Sequence, residues 1–363
     1  MKTIGEKRER NSNIELLRIL SMMLIIMNHY CASIEYVQTK IWINKLFKIL
    51  LGSWGALGVD IFVLISVWFL CDKELMYDIR KIMLLALQTI FYMIIWTMIA
   101  NRVGFADMSI KTLLKIVAAP FIGSYWFVTA YICFYIMIPI LNWLANSLSD
   151  KQLEHMVLVM TITVIMFQML VLGNPTYGII STFSYLFFLI SYLKRKPNNL
   201  IKQHCRSISV GIYLLICICI FIGMEHGSSK LVEMVSEKYS IFTILLATSV
   251  FYEFETKKSI VSKTINAVAS ATFGIYLFHS GPIAERYLTV TVGNNSQHYM
   301  ESGFIIHLVL FVLVIFVVGT FLDKIRKYLV EKPILKVMQR NNFIQREMHR
   351  INGLVQLREQ DEK

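Results

Sequence analysis

Charge is scarce in this chain. Asp, Glu, Lys and Arg make up 17% of its 363 residues and 56% are hydrophobic, whereas an average soluble domain is about 25% charged. An ordinary soluble globular protein is thereby excluded. Proline and glycine are also few, 6 and 17, so collagen-like, low-complexity and disordered readings fail as well. The 6 cysteines form no C-x-x-C pair and no paired-histidine spacing accompanies them, so no metal is expected. Cys31, Cys71, Cys133, Cys205, Cys217 and Cys219 fall mostly within apolar runs and read as buried free thiols. No G-x-S-x-G, Walker loop, H-E-x-x-H or G-x-G-x-x-G is present. Nothing therefore points to a serine hydrolase, a nucleotide motor or a metalloprotease.

What the chain does have is long apolar runs, each near the roughly 20 residues that cross a bilayer. Ten are expected, near 13–33, 55–71, 81–100, 125–145, 153–172, 178–193, 207–224, 238–252, 268–285 and 304–322. The fold class is thus all-α, a polytopic membrane protein. It comprises a cytoplasmic segment 1–12, a transmembrane unit 13–322 and a basic cytoplasmic tail 323–363. The first run has no small-residue cleavage site after it and is expected to be a retained span. The net charge of +12 is explained by topology. With both termini cytoplasmic, only nine basic residues (Lys40, Lys45, Lys48, Arg102, Lys111, Lys115, Lys230, Lys238 and Arg286) fall on the outer side. Most of the remaining Lys and Arg fall on the inner side, as the positive-inside rule requires. No nucleic-acid partner is needed. The segment 41–51 reads as a short interfacial helix, and the tail reads as a surface-lying or solvated helix.

Ionisable residues inside spans cost about 2.5–3.5 kcal/mol each on insertion scales and are functional candidates. Five stand out: Arg18, His29, Asp60, His279 and His307. Arg18 and His29 are eleven residues apart, three helical turns plus about 20°, so they share a face and are separated by about 16 Å along the axis. Glu15 is placed to pair with Arg18. Counted from the outer ends of their spans, Asp60 and His29 are expected at matching depth, with the carboxylate orienting an imidazole base. The alternatives are an arginine snorkelling to the inner headgroups and a structural hydrogen bond between the first two helices. His307 is expected at the interface and His279 in the outer half. Arg80 and Lys81, and Lys194, Arg195 and Lys196, offer cations to a phosphorylated ligand on the inner side.

The motifs resemble those of the integral-membrane acyltransferase family 3, whose members include cell-surface sugar O-acetyltransferases. The stretch from Asn13 through Arg18 to His29 is similar to the family's opening signature. Gly58-Val59-Asp60-Ile61-Phe62 with Ser66 is similar to its second-span motif, with Val67 in place of a glycine. Arg80-Lys81 resembles the basic pair opening the third span, and Tyr125-Trp126-Phe127 with Tyr131, Tyr135 and Pro139 resembles the aromatic pattern of the fourth. Ser270 to His279 and Glu331-Lys332-Pro333 match two motifs near the end.

The resemblance implies transfer of an acyl group, usually acetyl, from cytoplasmic acyl-CoA to a hydroxyl of an extracytoplasmic or lipid-linked glycan at the plasma (inner) membrane. It implies His29 as base, assisted by Asp60, and Arg18 as a catalytic or donor-positioning residue. Arg80, Lys81, Trp126 and Tyr125 would lie along the donor acetyl-CoA, and His279 would lie on the substrate side. Tyr125, Trp126 and Tyr131 are candidate oxyanion donors. A transporter or flippase of a lipid-linked glycan, with the same charges lining a pathway, is the alternative. A structural subunit of a glycan-synthesis complex is a third reading.

Overall fold

Asn11 starts the bundle: its side chain accepts a hydrogen bond from the Asn13 N–H and Glu15 occupies the first turn of helix α1, Ser12–Ala32, both favourable at a helix N-terminus. The computed structural model describes residues 10–34, 39–71, 78–104, 107–170, 178–341, 345–348 and 350. Lys2, Lys7, Arg8, Lys73, Phe343, Ile344 and the tail beyond residue 350 lie outside the described residues. The structure is all-helical, 83% helix, with no strand among the described residues.

After α1 come α2 (Trp42–Leu70), α3 (Ile79–Arg102), the short α4 (Ile110–Ala118) and α5 (Trp126–Ser147). Next, α6 (Asp150–Met160) runs through a π-helical stretch into α7 (Phe167–Leu170). It is followed by α8 (Ile179–Arg195), α9 (Leu200–Gln203), α10 (Cys205–Glu225), α11 (Ser229–Ser236) and α12 (Ile241–Glu255). Then come α13 (Lys263–Ala269), α14 (Thr272–His279), α15 (Pro282–Arg286), α16 (Asn295–Tyr299), α17 (Phe304–Arg326) and α18 (Lys332–Arg340).

Among the described residues, eight helical runs are long and apolar enough to cross a membrane. The other two expected spans take a different form. The run at 178–193 is the shorter α8, 17 residues long. The run at 268–285 is broken into parts of α13, α14 and α15, with Gly281-Pro282 punctuating the last break. Proline lacks the N–H a continuing helix needs and constrains the residue before it.

Two expected segment limits fall inside continuous helices. The segment 41–51 is not a separate interfacial helix but the first part of α2, a continuous helix of 29 residues. The expected tail boundary at 322/323 falls inside α17, which passes through a π-helical turn, Lys327–Glu331, into α18. Pro333 stands in the first turn of α18 and has no N–H to give to an i−4 carbonyl, which favours a change of helical pitch just before it.

Helix α1 is central, packed against α2, α12, α13, α14 and α17. Its antiparallel contact with α2 is set by three glycines. Gly52 faces Cys31, a Cβ on Gly55 would run into Asn28, and one on Gly58 would stand 2.6 Å from the Ser21 carbonyl oxygen. The Asn28 amide donates to the Gly52 carbonyl. With Ile25 and Leu24 also beside Gly58, six residues along α2 thus run back about six or seven along α1.

Candidate active site

A cavity of about 720 Å³ opens at the end of the bundle where α1 finishes and is lined by His29, Asn28, Phe127, Tyr276 and Trp126, among others. Its charged rim comes from Lys48 on α2 and from Glu233, Glu237 and Lys238 on and after α11. Lys238 lies 5.4 Å from the Trp126 ring centroid and 3.7 Å from the Glu237 carboxylate. Two lysines face two glutamates here, so the rim is close to neutral. Trp126, 37% exposed, presents a flat apolar face beside those polar groups.

The neighbour of His29 is His279. Their ring centroids are 5.0 Å apart at an interplanar angle of 45°. His279 is held from behind: its Nδ1 lies 2.6 Å from the Ile275 carbonyl oxygen. The short helix α14 that carries it is tied on three sides. Trp96 Nε1 donates to the Phe278 carbonyl at 2.9 Å, the Tyr125 hydroxyl donates to the Leu277 carbonyl at 3.1 Å, and Gly319 on α17 lets Ile275 approach closely.

Asp60 is elsewhere than the sequence reading placed it. The glycine register puts it level with about residue 23 of α1, about 9 Å deeper than His29 by the 1.5 Å rise. Its side chain is fully buried and neither carboxylate oxygen has a hydrogen-bond partner. The depth estimate failed because α2 begins at Trp42, so the end of the apolar run was not the end of the helix. Asp60 is within electrostatic range of Lys238 and Glu237, both on the cavity rim.

Arg18 lines a second cavity, about 1030 Å³, at the opposite end of α1. Glu15 pairs with it at 3.2 Å, as the spacing predicted. Arg10, Lys194 and Lys202 join it, against the two acids Glu15 and Glu255, with Trp68 and Tyr252 in the wall. Lys202 pairs with Glu255 at 3.1 Å, and Lys194 donates to the Trp68 carbonyl and lies 4.2 Å from the Trp68 ring centroid. Four basic side chains against two carboxylates make this an anion-attracting chamber. Tyr131 stacks on Phe127 of the first cavity, with centroids 5.9 Å apart, and stands within electrostatic range of Arg18 of the second.

Several sequence candidates fall outside both cavities. Arg80 is exposed and paired with Asp78 at 3.0 Å, and Lys81 lies 5.5 Å from the Tyr135 ring centroid. Tyr125 is buried with its hydroxyl engaged by Leu277. Trp126 lines the His29 cavity and not the Arg18 cavity. His307 stands near the start of α17, bonded through Nδ1 to the Tyr30 hydroxyl at 2.7 Å and stacked on His298.

A buried ionic cluster was missed. Asp323 and Arg326 are 0% and 2% exposed and bond at 2.9 Å, Arg326 also meets Glu331 at 2.8 Å, and Lys327 meets Asp323 at 2.9 Å. The i,i+3 and i,i+4 spacing at the end of an apolar run is the signal that could have found it. Among the described residues no group of three or more His, Cys, Asp or Glu is arranged to hold a metal ion.

The acyltransferase-domain model of acyltransferase family 3 matches residues 11–323, a span that includes both cavities' α1 residues, Asp60, His279 and the first member of the ionic cluster. No curated protein and no solved structure matches the chain. An all-helical membrane architecture, two chambers strung along one helix and a family match over most of the sequence lead to one conclusion: the chain belongs to acyltransferase family 3, the membrane acyltransferases.

Proposed function

We propose that this membrane acyltransferase moves an acyl group, acetyl in the simplest case, from acyl-CoA on the cytoplasmic side to a hydroxyl of an extracytoplasmic or lipid-linked glycan. The observation that carries the reading is the pair of chambers on α1, with His29 in one and Arg18 in the other, eleven residues apart. In this reading the helices make ten crossings of the plasma membrane with both termini cytoplasmic, so the basic chamber faces the cytoplasm. It supplies what a CoA headgroup requires: Arg10, Arg18, Lys194 and Lys202 for phosphates and the Trp68 and Tyr252 rings for the base. These four, and not Arg80 and Lys81, take the phosphates.

The pantetheine arm then runs past Tyr131 toward the neutral chamber, where a sugar ring meets Trp126 and its hydroxyl meets His29. His29 removes the hydroxyl proton as the oxygen attacks the thioester carbonyl carbon. The C–S bond breaks and His29 returns the proton to the departing sulfur. Asp60, buried and without a hydrogen-bond partner, takes no step in this scheme. Bringing both substrates to one base by separate doors replaces a collision of three bodies with a pre-arranged encounter.

The test is the base-labile acyl ester of surface glycans in cells carrying wild type, a deletion, or His29→Ala at matched membrane abundance. Loss in both altered strains is expected. Ester retained in the deletion strain overturns the reading.

A further inference from the structure

If His29 is the base, some group must fix which of its nitrogens carries the proton, and Asp60 does not touch it. A neutral imidazole has one N–H and one lone pair. The Ile275 carbonyl oxygen, 2.6 Å from His279 Nδ1, can only accept, so Nδ1 of His279 carries the hydrogen and its lone pair lies at Nε2. That Nε2 is buried with no partner. So is Nδ1 of His29, on the ring whose centroid is 5.0 Å away. One orphaned acceptor and one atom free to carry a proton therefore sit on facing rings, and each left unpaired in a buried setting costs about 1–3 kcal/mol.

We infer that His279 is a positioning residue: a small turn of the two facing rings, which leave both atoms unpaired in this structure, lets its Nε2 accept a hydrogen bond from His29 Nδ1–H, locking His29 in the tautomer whose Nε2 lone pair faces the acceptor hydroxyl. With that bond closed, the chain runs from hydroxyl to His29 to His279 to the Ile275 carbonyl, of which the last link is already made. A backbone oxygen, held by the tied helix α14, stands where a carboxylate stands in a hydrolase triad. His279 neither gains nor loses a proton in the cycle; the proton taken by His29 goes to the CoA sulfur. A neutral second imidazole has an advantage in this setting, because it orients the base without placing a fixed charge in the membrane interior.

The inference rests on the proposed role of His29, and two measurements separate the fates of the two ideas. The first needs no activity: nitrogen NMR of the full-length protein labelled with 15N-histidine in lipid, with His29 assigned by its absence in His29→Ala. Protonation of His29 at Nδ1 in the wild type, lost in His279→Leu, is expected. Protonation at Nε2 in the wild type overturns the inference and leaves the base assignment standing.

The second uses [14C]acetyl-CoA and membranes that hold the native glycan. His279→Leu is expected to lower the maximal rate by about 100-fold or more, within the range of general-base effects, with the KM for acetyl-CoA changed less than threefold. His279→Gln offers an amide oxygen at the reach of Nε2 and is expected to recover at least tenfold of that loss. A His279→Leu protein as fast as wild type, or a Gln variant no faster than Leu at equal membrane abundance, refutes the positioning role. Full activity in His29→Ala removes both ideas together.

Discussion

Replacing Gly58 by alanine tests how closely the machinery depends on the α1–α2 contact. A Cβ at that position would stand 2.6 Å from the Ser21 carbonyl oxygen and 2.9 Å from the Ile25 side chain, whereas real Cβ contacts fall essentially never under 3.0 Å. Ser21 contributes backbone, which cannot rotate away, so the helices must part by about 0.4 Å to clear 3.0 Å and by about 0.8 Å to reach ordinary contact at 3.4 Å. Overpacking of this kind costs about 1–3 kcal/mol. It also moves α1, with His29, against the wall formed by α2, and a misplacement near 1 Å lowers a rate by about 100-fold. Gly211 on α10 is the control, because a Cβ there meets nothing within 4 Å and Ala in a helix is favoured over Gly by about 0.5–1 kcal/mol. Thermal unfolding in detergent and acetyl transfer from [14C]acetyl-CoA are to be measured on both. Gly58→Ala should unfold earlier and turn over roughly 10–100-fold more slowly, while Gly211→Ala should match or exceed wild type. A Gly58→Ala protein indistinguishable from wild type would refute the register and the depth assigned to Asp60.

Three further outcomes follow from named contacts. The double variant Lys194→Glu, Lys202→Glu should raise the KM for acetyl-CoA by about tenfold or more, since charge-assisted contacts to phosphate are the strong ones; an unchanged KM would move the donor site elsewhere. Arg326→Leu leaves buried Asp323 with Lys327 alone and removes the partner of Glu331; it should cost up to about 3–5 kcal/mol, seen as lost folded yield, with normal KM for acetyl-CoA in the protein that does fold. Tyr125→Phe removes one hydrogen bond to Leu277, worth about 1 kcal/mol, and should leave the turnover rate within a few-fold of wild type; a loss of 100-fold would make Tyr125 an oxyanion donor after all.

Much of the bundle was legible because apolar length reports spanning helices directly, and because the eleven-residue step from Arg18 to His29 translates into one face and about 16 Å without further information. The Glu15–Arg18 pair followed from spacing for the same reason. What failed depended on neighbours. The depth of Asp60 needed the true start of α2, and hydropathy cannot separate a polar-sided first part of a helix from a separate surface helix. The glycines at 52, 55 and 58 carried the correct register, since a spacing of three marks one close-packed face, but their partners on α1 are not encoded locally. The meeting of His29 with His279 joins residues 250 positions apart, which no periodicity reveals. Of the cations offered from the sequence, Arg18 and Lys194 line the second chamber while Arg80 and Lys81 do not; Arg10 and Lys202 join them there, a grouping of distant segments that no local pattern reveals.

The most direct test of the account uses membrane vesicles of both orientations, supplied with [14C]acetyl-CoA in the medium and carrying either wild type or His29→Ala. Inverted vesicles, whose cytoplasmic face is outermost, should place label in base-labile glycan ester. Right-side-out vesicles should not, and His29→Ala should abolish the signal in either orientation. Label appearing equally in right-side-out vesicles, or persisting in His29→Ala, would contradict the transfer of an acyl group from an inner donor chamber to an outer base on α1.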